Sequence, residues 1–137
     1  MLQDPTLTMI AKALETNTTL RQLDLSANLF REEGITTFAQ ALKINSTLED
    51  LNFSKNNIGE AAKAFAEGIM KNKSLKILNL CGTKGLSKIG RKQLIHMLAA
   101  NPPLQYLNLN EIGIAEEESK ELPKAIKVRF LNCFVRF

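Results

Sequence analysis

The side chains in this sequence that could do covalent, acid–base or metal chemistry are few and poorly grouped. His96 is the only histidine, and it follows the apolar Ile95 in a stretch with helical spacing, which fits a surface or packing role. Cys81 and Cys133 are the only cysteines, and no Cys/His cluster has the spacing of a zinc site. Gly82-x-x-Gly85 followed by Gly90 has the outline of a phosphate loop, but no Gly-Lys-Ser/Thr completes it. Glu116, Glu117 and Glu118 are consecutive, so a helix would spread them around its circumference; a solvated helix start explains them better than an acid–base pair. No catalytic residue, cofactor or metal is expected. What does recur is a set suited to hydrogen bonding and apolar contact. Asp24, Asn52, Asn79, Asn108 and Asn132 share one offset. Gln22, Asp50, Ile77, Tyr106 and Phe130 stand two residues earlier, and Ser26, Ser54, Cys81, Asn110 and Phe134 two residues later.

Those offsets come from a repeat. Leu20-x-x-Leu23-x-Leu25-x-x-Asn28 returns as Leu48-x-x-Leu51-x-Phe53-x-x-Asn56, then as Leu75-x-x-Leu78-x-Leu80 and Leu104-x-x-Leu107-x-Leu109. The lead leucines Leu20, Leu48, Leu75 and Leu104 follow one another at 28, 27 and 29 residues. Ahead of each lies a second motif: Ile10-Ala11-x-x-Leu14-x-x-Asn17, Phe38-Ala39-x-x-Leu42-x-x-Asn45, Phe65-Ala66-x-x-Ile69-x-x-Asn72 and Leu94-Ile95-x-x-Leu98-x-x-Asn101. Around the leucines, apolar and polar residues alternate with period two, which predicts a short strand with one buried face. Ile35, Phe38, Ala39 and Leu42 share one face of a helix, and Asn45 can end it in left-handed geometry. Each unit therefore reads as strand, turn, helix, turn. Neither element buries its apolar face alone, so stacked units bury it together.

The two motifs together resemble a leucine-rich repeat of the ribonuclease-inhibitor-like class, over roughly residues 6–135. That resemblance implies an α/β solenoid, a right-handed β-α superhelix with parallel strands on the concave face and helices on the convex face. Strands pack about 4.8 Å apart and helices roughly 8–10 Å apart, which bends the stack in that sense. The whole chain, residues 1–137, is expected to be one such domain: a half-repeat over 4–19, repeats starting at about 20, 48, 75 and 104, and a degenerate strand over 128–134. Asp4 and Pro5 are expected to cap and open the first helix, and Pro123 to shorten or kink the last. Asn28 and Asn56, with Thr83 as a weaker substitute, match the family's buried turn asparagine. The class serves many tasks. It includes ribonuclease inhibitor, the sensor arms of NOD-like receptors, tropomodulin-like actin binders, bacterial effectors and Ran GTPase-activating protein.

The function expected is non-catalytic binding of a protein partner, as an effector, adaptor or receptor arm. The contact residues would be Asp24, Asp50, Asn52, Ile77, Asn79, Tyr106, Asn108, Asn110, Phe130 and Phe134. The alternatives are a GTPase regulator and a structural module that self-associates through uncapped ends. Net charge is +4, with a basic run of Lys71, Lys73, Lys76, Lys84, Lys88, Arg91 and Lys92 that reads as a solvated convex face or, less simply, a dock for an acidic partner. That run has no interleaved aromatic residue before Tyr106, which argues against nucleic acid. No stretch is apolar enough to span a membrane, and Met1–Pro5 does not open a secretory signal. The alternation puts Cys81 on the sheet face and Cys133 in the core, so no pairing is expected. A cytoplasmic setting follows, host cytosol for an effector. The sequons at Asn17, Asn45 and Asn72 are read as products of the repeat.

Overall fold

The computed structural model describes residues 1–100, 103–113, 120 and 127–129. Within them the chain alternates helix and strand: α1 (Asp4–Thr16), β1 (Gln22–Asp24), α2 (Glu32–Ile44), β2 (Asp50–Asn52), α3 (Ala62–Lys71), β3 (Ile77–Asn79), α4 (Lys88–Ala99), β4 (Tyr106–Asn108) and β5 (Lys127–Arg129). All five strands lie in one parallel sheet in sequence order. Consecutive parallel strands require a crossover, and the helices supply it on one side of the sheet. The helices pack in sequence order as well, α1 on α2, α2 on α3 and α3 on α4.

The core lies between the two layers. Leu25, Phe53, Leu80 and Leu109 at the ends of the strands meet Leu14, Leu42, Ile69 and Leu98 on the helices, all 2% exposed or less. Phe53 is its hub: its ring centroid stands 5.8 Å from Phe30, 5.9 Å from Phe38 and 4.9 Å from Phe65. Truncating such a ring to alanine costs about 3–5 kcal/mol.

Polar turns are closed from the neighbouring unit. Asn45 ends α2, and its Oδ1 accepts from the Thr47 and Leu48 N–H groups at 3.0 and 2.8 Å. Its Nδ2 donates back to the carbonyls of Leu14 and Asn17, at 2.9 and 3.0 Å. Asn72 does the same one unit on, accepting from Ser74 and Leu75 and donating to the Leu42 and Asn45 carbonyls at 2.7 and 2.9 Å. These asparagines are extended, at φ −64° and −66°, and not left-handed as expected, because the side chain must turn inward to reach two units at once. Both are buried, so their sequons offer no accessible amide.

A second asparagine row closes the opposite turns. Asn56 donates to the Leu25 carbonyl at 2.9 Å and its Oδ1 accepts from the Asn28 N–H at 3.1 Å, the structural role expected of it. Thr83 keeps only a bond within its own turn, from its hydroxyl to the Leu80 carbonyl at 2.8 Å, and Ile112 fills the fourth position as a buried apolar side chain. The residue just before each of these positions is left-handed: Ala27 (φ 54°), Lys55 (φ 56°), Gly82 (φ 64°) and Glu111 (φ 58°). Only Gly82 adopts that conformation without strain.

Three further expectations are corrected by the fold. Asp4 does not cap its own helix: Gln3 occupies that place, and the Asp4 carboxylate accepts instead from the Arg31 N–H at the start of α2, at 2.6 Å. A Cβ on Gly34 would meet Asp4 at 2.8 Å, so this cross-unit cap requires the glycine. The described part of the fifth strand is Lys127–Arg129, with Val128 opposite Leu107 where the leucine spacing expected Leu131; the rest of the expected 128–134 strand lies outside the described residues. Lys127-Val128-Arg129 offers the same polar–apolar–polar alternation after a shorter connection. Third, Cys81 is disulfide-bonded and 1% exposed. Cys133, the only other cysteine, lies outside the described residues, as do Pro123 and Glu116–Glu118. The cysteines therefore no longer support a reducing setting.

Two stability measurements follow. Asn72→Ala strands two N–H groups and two carbonyls in the interior and should cost at least about 3 kcal/mol in urea unfolding, whereas the exposed Asn17→Ala should cost about 1 kcal/mol or less. Equal losses would contradict the cross-unit role. Lys55→Gly should raise stability by roughly 0.5–1 kcal/mol by relieving the left-handed backbone; a drop in midpoint would refute that reading of the turn.

Candidate functional site

The face that the strands turn away from the helices is built from two side-chain rows. Backbone register sets Gln22, Asp50, Ile77 and Tyr106 side by side, and next to them Asp24, Asn52, Asn79 and Asn108. The alternation that buries Leu23, Leu51, Leu78 and Leu107 to differing degrees forces their neighbours outward. Asp24 is exposed; Asp50, Asn52, Asn79, Tyr106 and Asn108 are half-buried. Ile77, at 38% exposure, is a large apolar side chain standing in the open centre of this face.

The Asp/Asn row has a local job. Each member accepts from the backbone N–H two residues on: Asp24 from Ser26 (2.8 Å), Asn52 from Ser54 (3.2 Å), Asn79 from Cys81 (3.0 Å) and Asn108 from Asn110 (3.1 Å). These side-chain turns stop each strand after three residues. Among the described residues one side-chain bond links the row laterally, from Asn52 Nδ2 to Asp24 Oδ2 at 2.9 Å. Partial burial works to raise the Asp24 pKa, but hydrogen bonds from the Ser26 hydroxyl and N–H and from Asn52 outweigh it, leaving the group below its ordinary value.

The third row does not belong to the open face. Ser54, Cys81 and Asn110 are 7%, 1% and 4% exposed, because the chain turns there toward the helices. Asn110 is thus removed from the expected contact set: its N–H donates to Asn108 and its carbonyl accepts from the Gly82 N–H at 2.8 Å. Phe130 and Phe134 lie outside the described residues. The register positions expected for Phe130 and Asn132, opposite Tyr106 and Asn108, are held by Lys127 and Arg129.

One column escapes the sequence reading. Arg21, Glu49, Lys76 and Gln105 occupy the second position of the four leucine motifs and flank the first row at the rim. Glu49 accepts from Lys76 Nζ at 2.8 Å and pairs with Arg21 at 3.6 Å. The hydrogen bond from Lys76, assisted by the charges of Lys76 and Arg21, outweighs the opposing desolvation and lowers the Glu49 pKa. The alternating signs at a fixed offset were the available signal.

The basic run is divided by the fold. Lys71, Lys73 and Lys76 lie between the end of α3 and the start of β3, whereas Lys84 and Lys88 lie between β3 and the start of α4. Helix and strand run in opposite directions, so these turns fall on opposite rims and do not form one convex patch. His96 is exposed on α4. Among the described residues no group of three or more His, Cys, Asp or Glu side chains gathers, and no helix is long and apolar enough to cross a membrane.

Because the folded-state pKa of Asp24 is lowered, its contribution to stability is complete above the ordinary value of 3.8 and is lost as pH falls through the folded value. Asp24→Asn should accordingly flatten the acid limb of the stability profile below that pH. The side-chain carboxyl shift in an NMR titration should have its midpoint below 3.8; a midpoint above it would show that desolvation dominates.

Comparison with known proteins agrees with this geometry. The family described as Leucine Rich repeat matches residues 16–39 and 45–66, which take in β1 and β2 and the first parts of α2 and α3. Among solved structures, that of Leiomodin-1 Actin-Binding Site 2 (ABS2) superposes with a TM-score of 0.71 at 23% identity. The match covers 77% of this chain and 62% of the leiomodin chain, so this chain spans less than two thirds of that neighbour. No curated protein sequence matches. Together with the parallel sheet and its alternating helices, these matches identify the fold as an α/β leucine-rich repeat solenoid, strands concave and helices convex.

Proposed function

We propose that this solenoid is a non-catalytic module that binds a protein partner through its concave strand face. The observation that carries the reading is Ile77, a partly exposed large aliphatic side chain centred between Asp50 and Tyr106 on a sheet whose backbone is fixed by neighbours on both sides. A rigid face presenting apolar anchors within polar surroundings loses little entropy on association. The contact set is Asp24, Asp50, Asn52, Ile77, Asn79, Tyr106 and Asn108. The repeat length favours the ribonuclease-inhibitor-like subclass, and an effector, adaptor or receptor-arm role fits the same surface. The leiomodin neighbour is an actin-binding site, which makes actin the first purified partner to try.

The experiment is affinity capture with three baits, each verified as folded by circular dichroism: wild type, Ile77→Ala/Tyr106→Ala, and a Lys84→Glu/Lys88→Glu control on the rim. Loss of an aromatic or aliphatic anchor at a buried interface commonly costs about 2 kcal/mol or more. A partner held by wild type and the control but released at least about 30-fold faster by the double alanine variant supports the concave site. A partner that ignores the alanine substitutions and leaves with the lysine ones moves the site to the rim. Sedimentation with filamentous actin provides the direct arm for that candidate.

A further inference from the structure

We propose that the open edge formed by α1 and β1 docks a second copy of this chain, β1 against β1 about a two-fold axis. Inside the molecule each unit is covered by the one before it. Leu48, Leu75 and Leu104 are 2% exposed or less, and Leu51, Leu78 and Leu107 are fully buried. The first unit keeps the same residue types without that cover. Leu20 is 37% exposed, Ile10 and Leu23 are only partly buried, and Ala13 is exposed where its counterpart Ala41 is buried. Asn17 follows suit. Its Oδ1 accepts from the Thr19 and Leu20 N–H groups, but its Nδ2 finds no preceding-unit carbonyl among the described residues, unlike those of Asn45 and Asn72. A terminal unit that faces water needs a polar outer surface, and this one carries an inter-unit surface. Docking there continues the interface that already joins α1 to α2 and β1 to β2.

The edge selects its occupant. The Arg21 carbonyl accepts from the Asp50 N–H at 3.0 Å, and the Leu25 N–H donates to the Asn52 carbonyl at 2.8 Å. Gln22 and Asp24, of the other parity, therefore turn their backbone N–H and C=O groups to the free edge. A two-fold axis normal to the sheet lays the second β1 alongside in antiparallel sense and keeps both helix layers on one side. Centred on Leu23, it lets Gln22 of each copy exchange both backbone bonds with Asp24 of the other, with the two Leu23 Cα atoms about 4.5 Å apart. Centred on Asp24, it would oppose two carboxylates. A lone added strand would leave Ile10 and Ala13 uncovered, whereas a second copy brings a helix as well as a strand. Ile10, Ala13, Leu20 and Leu23 are uncharged, so the axis opposes no like charges among them. Such an isologous contact closes at two copies.

Sedimentation equilibrium over a concentration series tests this. Wild type should approach twice 15.3 kDa as concentration rises. Leu20→Glu and Ala13→Arg, each verified as folded by circular dichroism, should weaken self-association at least about 30-fold. Ile89→Glu, at a 71% exposed apolar position on α4, should leave it unchanged. Under mild oxidation Leu23→Cys should crosslink the two copies, while Gln22→Cys, two residues out of step with its counterpart, should not. A wild type that stays monomeric up to about 1 mM, a dimer indifferent to Leu20→Glu and Ala13→Arg, crosslinking by Gln22→Cys in place of Leu23→Cys, or growth past two copies would each overturn the proposal. A monomer that instead takes up a synthetic peptide copied from residues 48–56 would assign the edge to a foreign strand.

Discussion

Backbone polar groups in the turns of this molecule are satisfied across units, and the rest of the structure depends on that. Strands of three residues are too short to hold together alone, and each helix is only ten to thirteen residues long. Asn45 and Asn72 each tie a helix end to the preceding unit's carbonyls while holding open the turn into the next strand. Asn56 does the corresponding work at the opposite turn, and Asp4 caps α2 across the same distance. A unit removed from its neighbours would lose both its apolar cover and these partners, so order in one unit presupposes order in the next.

That coupling explains why the strand face can serve recognition. The Asp/Asn row terminates each strand through its own backbone, which leaves side chains at fixed spacing on a backbone that does not adjust. The stapling weakens along the chain: Asn28 and Asn56 give way to Thr83, and then to Ile112. The conformational strain does not follow that order: the left-handed turn position is alanine, lysine, glycine and glutamate in successive units, and only the glycine relieves it. These are substitutions within one turn geometry, tolerated because the surrounding hydrogen bonds determine the backbone.

Much of this is legible in the sequence. Two motifs in constant phase reveal the units, and period two within each leucine motif assigns Gln22, Asp24 and their successors to one face from pattern alone. What fails does so for identifiable reasons. Asn110 and Cys81 continue the alternation on paper, but the strands end two residues earlier, so both turn inward. The register expected for the fifth strand is out by three residues because Leu131 and Cys133 repeat the leucine spacing, while the sheet pairs Val128 with Leu107. Asp4 reads as the cap of its own helix because sequence shows local neighbours and not the Arg31 N–H brought beside it by packing.

The sequence by itself determined the repeat, the leucine positions that turn inward and the order of side chains along the first four strands, because each follows from periodicity and periodicity is local. Tertiary structure alone decided where strands stop, which caps cross between units, and which charges meet. Lys71 and Lys84 belong to one basic run in the chain but lie on opposite rims, and Glu49 meets Lys76 across 27 residues. Proximity of that kind is set by how one unit stacks on the next, which no single unit's pattern contains.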